Sequence, residues 1–348
     1  MNHRIKPPHT EKKPVTTMKR DAQGTPAWPS FQGNAQLVGT SPSGKVTVYV
    51  DSTLGDPGLQ NAQDLVNDAD RVVAANDGIF GTTGGPVSVI VFALGGATDG
   101  TGGADHMGCD YATGNAIEVD AAFDNSARVS ALFEAELSEC SMNGNLCGFS
   151  TGEALSRWCS TITSNNALAD FATAPTWAQD GMQNYVDQTD NTDQNPDSTG
   201  CGMAFISWMI SQGYGLEKIA PVMVNLGDGG TLAQMYGNLI SDDPANAWPN
   251  FQDAVNNLPN GVTSDDPFNG LANPLQMTHL APRSAELVGR VFASMVADLA
   301  AGRTPDQIAA NVRAAMVPAS RPAAPAACSP KSKRLLPPGK TSKRTKTA

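Results

Sequence analysis

Two glutamates three residues apart, Glu136 and Glu139, lie in the stretch S-A-R-V-S-A-L-F-E-A-E-L-S-E-C-S-M of residues 126–142. Val129, Leu132, Phe133, Leu137 and Cys140 recur there at helical spacing and predict an amphipathic helix with one apolar face. At about 100° per residue, Glu136 falls inside that face, Glu139 falls on its edge and Glu134 points the other way. A carboxylate in a buried stripe costs free energy unless a partner neutralises or hydrogen-bonds it. Glu136 therefore has two readings: a structural acid paired with an arginine such as Arg157, or a general base or metal-binding group. Glu139 reads first as a solvated helix residue.

Other polar residues offer alternatives. Ser150 and Glu153 have the spacing of a capping box, and Glu153 and Arg157 that of a favourable helical ion pair. The run V-D-Q-T-D-N-T-D-Q-N-P-D-S-T brings together Asp187, Asp190, Asp193 and Asp197. Such a loop could hold calcium, although it has neither the alternation nor the central glycine of an EF-hand. Otherwise Asp197 or a neighbouring hydroxyl caps the helix that follows. A Ser-His-Asp triad finds little material, because the body holds only His106 and His279, neither near a nucleophile elbow. The glycine-rich stretch from Gly95 lacks the Lys-Ser/Thr of a phosphate loop.

The elements that would position these groups follow from patterning. Residues 1–40 are rich in Pro, Lys and Thr and read as a disordered basic arm. Strands are predicted at residues 45–52, 86–94 and 116–120, the second apolar enough for a central place in a sheet. A helix is predicted at 59–75, and the loop from Gly95 to Asp110 looks too glycine-rich for regular structure. Beyond the helix at 126–142, further helices are predicted at 150–164, 201–211, 216–224, 231–241 and 244–258. The span 165–200 reads as mostly loop, anchored by Trp177 and Tyr185. This order, strands first and helices after, indicates an α+β domain over residues 41–262. A linker is expected at 263–283, a helical pair at 284–316 with a strong apolar stripe, and a disordered basic tail at 317–348.

The 348 residues carry a net charge of −11, unevenly spread. Fourteen of the 23 lysines and arginines lie in residues 1–20 and 321–348, leaving nine bases against 33 acids between them. Such a body repels nucleic acid and attracts cations. No apolar run is long enough for a membrane span. The basic N-terminus is followed by no apolar segment, so no Sec leader is expected; the cytoplasm is the default compartment and export the runner-up. Cys109, Cys140, Cys147, Cys159 and Cys201 fit either two disulfides with a spare thiol or a set of buried thiols.

The segment A-E-L-S-E at 135–139, with strands before it and helices after, resembles the active helix of the zincin metallopeptidases. So do G-E-A-L-S-R from Gly152, G-C-G-M-A-F-I-S-W-M, T-L-A-Q-M-Y-G-N-L and A-W-P-N-F-Q-D-A-V. Together they are similar to the basic-secretory-protein-like zincins and related uncharacterised bacterial proteins over about residues 45–258. That helix normally carries H-E-x-x-H, two histidines on one face gripping Zn²⁺ around a glutamate base. The resemblance implies Glu136 as the base and Glu139 and Glu153 as ligands; His106, in the acidic loop upstream, reads either as an exposed loop histidine or as a substitute for the missing imidazole. Ala135 stands at the first ligand position. Three expectations follow: a zincin-like protein without its histidine pair, binding a peptide or protein in the old cleft; a divergent metal-dependent hydrolase; and a structural module that oligomerises through residues 284–316.

Overall fold

β-Branched residues cluster at residues 46–50, 87–91 and 117–119, and in the computed structural model these runs belong to one mixed sheet. The structure describes residues 26–272, together with Gln307. The expected helical pair (Gln307 apart), the first 25 residues of the arm and the basic tail lie outside the described residues. Strands β1 (Ala35–Thr40), β2 (Val46–Asp51), β3 (Val87–Phe92), β4 (Ala104–His106) and β5 (Ala116–Asp120) stand in the order β1-β2-β3-β5-β4. The three inner strands are parallel, while β1 and β4 are antiparallel edges.

The alternation of β2 and β3 sorts their side chains between two layers. Val46, Val48, Val50, Val89 and Val91 meet helix α1 (Gly55–Phe80) and helix α2 (Ser126–Ser141) through Leu65, Val72, Phe133 and Leu137. Tyr49, Ile90 and Phe92 face the other way, where Trp28 and Phe31 cover them. Both faces of β3 are thus buried, which is why its sequence is almost unbroken in apolar residues. Buried Glu118 of β5 clamps this covering segment by accepting from the Ser30 amide (2.9 Å), the Ser30 hydroxyl (2.6 Å) and the Phe31 amide (2.7 Å).

Helix α2 packs on α1, on β4 and β5, and on α3 (Ser150–Thr163). After α3 come α4 (Ala174–Gln179), α5 (Pro196–Ser211), α6 (Leu216–Leu226), α7 (Leu232–Ile240) and α8 (Ala247–Asn256). They enclose a second core around Trp158, Trp177, Phe205 and Phe251. The domain is therefore of mixed α and β structure, a sheet in its first part and helices in the rest. No helix among the described residues is long and apolar enough to cross a membrane.

Several expectations need correction. Residues 26–40 are not part of a disordered arm, since aromatic packing and the Glu118 clamp hold them on the sheet. The glycine-rich loop contains β4, whose geometry comes from pairing with β5. Helix α4 forms inside the expected 165–200 loop, carrying the buried anchor Trp177. Residues 263–272, read as the start of a linker, pack on the helical core through Phe268 and Leu271.

Candidate functional site

Glu136 and Glu139 project from α2 toward His106 at the end of β4. The His106 Nε2 lies 3.0 Å from Glu139 Oε2 and 3.6 Å from Glu136 Oε2. The ring's other nitrogen, Nδ1, donates to the carbonyl of Gly108. That bond turns Nε2 toward the acids, as a backbone carbonyl commonly orients a metal-binding histidine. The three side chains are only 10–17% exposed, so their charges act in a poorly solvated setting.

Burial lowers the proton affinity of His106, but the Glu139 hydrogen bond and the charges of Glu136 and Glu139 outweigh it, and its pKa is pushed up to about 9. Burial pushes Glu136 well above the usual carboxylate range, against the pull of His106. Glu153, one turn into α3, is pushed up to about 7 by burial and by the charge of Glu139, with Arg157 opposing. Four titratable groups thus act on one another through their charges, with a single imidazole among them. His106 is the one histidine among the described residues.

A sulfur completes the neighbourhood. Cys147, in the α2–α3 connection, has its Sγ 4.0 Å from His106 Nε2. One donor atom each from His106, Glu139 and Cys147 lie within 4.8 Å of one another, the spacing of a metal-ligand group. That same sulfur is bonded to Cys109, which ties the β4–β5 loop to the α2–α3 loop. A disulfide sulfur is a poor ligand, so the bond and the three-ligand set exclude each other. Cys140, Cys159 and Cys201 are free and buried.

The structure brings Glu136, Glu139 and His106 near one another, while Glu153, expected as a ligand, is not in the His106–Glu139–Cys147 group. Glu139 is buried at 8% exposure rather than solvated. Arg157 pairs with Glu153 (4.0 Å) and Asp265 (3.5 Å), so it does not pair with Glu136. No capping box forms at Ser150: the cap position is Phe149, and the Ser150 hydroxyl accepts from the Asp190 amide instead (3.1 Å). Glu134 does not face solvent, being fully buried without a hydrogen bond to either oxygen, and burial raises its pKa well above the normal range.

The acidic run does not converge. Asp187 accepts from Asn184, Asp190 from Asn195 and Ser198, and Asp193 from Gln194, each serving its own turn. Asn195, rather than Asp197, caps α5. Among the described residues the only metal-ligand grouping is the one at His106. The participation of Cys147 was missed in the sequence, which offered only an unpaired count of cysteines. Comparison with family models, with curated proteins and with solved structures finds no match to this chain.

Proposed function

We propose that this chain is a zincin-like, metal-dependent hydrolase that binds a divalent ion, zinc foremost, through His106 and Glu139, and acts on a peptide or protein. The observation that carries this reading is the His106 ring, held by the Gly108 carbonyl with Nε2 aimed at Glu139 and Glu136. The residues fit the ion: imidazole nitrogen and carboxylate oxygen are both zinc donors, and the side chains that carry them are only 10–11% exposed. The order of strands, a buried glutamate helix and a helical half supports the kinship.

When bound, the ion supplies Lewis-acid polarisation of the scissile carbonyl. Glu136, its carboxylate 3.6 Å from the His106 ring, would take the proton of the attacking water and pass it to the leaving amine. Glu153 completes the acidic rim and accepts a proton near pH 7. The test is metal analysis of purified protein together with cleavage of a peptide library. Stoichiometric zinc, lost in His106→Ala, and cleavage abolished by Glu136→Gln, support the proposal. A protein that takes up no divalent ion at any pH refutes it.

A second reading rests on the direct His106–Glu139 bond. A protonated imidazole between two carboxylates occupies the place of a cation and leaves a peptide-binding protein without hydrolytic activity. Peptide capture by metal-free protein, undiminished by Glu136→Gln, distinguishes it.

A further inference from the structure

The Cys109–Cys147 bridge joins two loops that border the candidate site, and both cysteines are partly exposed to solvent. Cys147 Sγ stands 4.0 Å from the nitrogen aimed at the acids and belongs with His106 and Glu139 to one group of ligand atoms. As a disulfide it can supply no thiolate. Released, it would complete a His/Glu/Cys set, softer and more suited to zinc than carboxylates with a single imidazole.

We propose that the Cys109–Cys147 disulfide gates this site: reduction releases Cys147 as a third protein ligand for zinc, and reoxidation withdraws it. The inference rests on the metal-binding reading above. In the reducing step a dithiol breaks the S–S bond, giving two electrons and two protons to the cysteine sulfurs and closing its own disulfide. On metal binding the Cys147 thiol releases its proton to solvent, and the thiolate lone pair forms the metal–sulfur bond. The partner sulfur, Cys109, keeps its proton. The buried thiols Cys140, Cys159 and Cys201 are not in this ligand group.

The gate is tested with Co²⁺, whose thiolate bond gives a charge-transfer absorption that nitrogen and oxygen ligands do not. Full-length protein is titrated oxidised and after treatment with a trialkylphosphine, which reduces disulfides while water converts it to the oxide. The expected result is a charge-transfer band in the reduced protein only. Cys109→Ser, which leaves Cys147 permanently free, shows the band without reductant, and Cys147→Ser lacks it in both states. Zinc competition should show tighter binding in the reduced protein, by about tenfold or more, the scale on which ligand environment alters affinity. Stoichiometric cobalt that is lost in His106→Ala, but without a thiolate band after reduction, overturns the gate and leaves the metal site standing. A band that persists in reduced Cys147→Ser also overturns it, by assigning the sulfur elsewhere. Absence of cobalt from every form overturns the gate and the metal-binding reading together.

Discussion

At the scale of single residues, the site is defined by how tightly its buried groups hold their protons. His106 is raised to about 9, Glu153 to about 7, and Glu136 well above its usual value. For each, the folded state holds its proton more tightly than the unfolded chain does. The stabilisation linked to His106 is fully present below pH 6.5 and is lost as pH rises through 9; that linked to Glu153 is present below about pH 4.5 and is lost through 7. Both act in the same direction. Chelator-treated protein should therefore weaken steadily from pH 5 to 9, by on the order of 3 kcal/mol for the His106 term, read as a falling urea midpoint. His106→Gln should flatten the upper part of that curve, between about pH 7 and 9. A midpoint that climbs over this range would show that the neighbouring acids do not hold the His106 proton. Glu134 adds a further slope of the same sign, since burial alone raises it most and Arg71 only partly compensates.

The elements that hold these residues differ in how plainly they were written. Helix α2 was legible, because Val129, Leu132, Phe133, Leu137 and Cys140 mark a face that does meet the sheet and α1. The expected outward turn of Glu134 failed because α2 is covered by α1, α3 and two strands, leaving far less than half its circumference to water. Strand β4 was illegible: its three residues take their conformation from β5, 11 to 15 positions further on, and not from local preference. His106 inherits its position from that pairing. The loop after it depends on a close approach at Gly114, where a Cβ would collide with the Gly108 carbonyl that orients the ring. Gly114→Ala should weaken cobalt binding about 10–100-fold with helical content unchanged; full affinity would mean that the carbonyl does not set the ring. The Glu118 clamp, equally invisible in sequence, makes a separate prediction. Glu118→Ala strands the Ser30 and Phe31 amides under the sheet and should cost on the order of 3 kcal/mol in urea unfolding, with cobalt affinity retained.

On the scale of the molecule, the uneven charge gives the site its setting. Between the basic ends of the sequence, nine bases face 33 acids, so a divalent ion is attracted before any ligand is engaged. On the proposed metal-binding reading, fold and metal are linked through one equilibrium, because α2, β4 and the two bordering loops must all be in place for His106 and Glu139 to meet. An ion bound only by the folded chain at 100 times its dissociation constant adds about 2.7 kcal/mol. It also reverses the pH dependence, since the imidazole must give up its proton before Nε2 can bind metal. Zinc should thus stabilise the protein little at pH 5 and most near pH 8, where the metal-free form is already weakened. Urea melts with and without zinc across this range, repeated with His106→Ala, measure the difference directly. A zinc increment that is independent of pH, or that survives His106→Ala, would place the ion on the acidic surface at large. An increment that grows with pH and disappears with the ring ties the binding, the fold and the charge of the whole body to one imidazole.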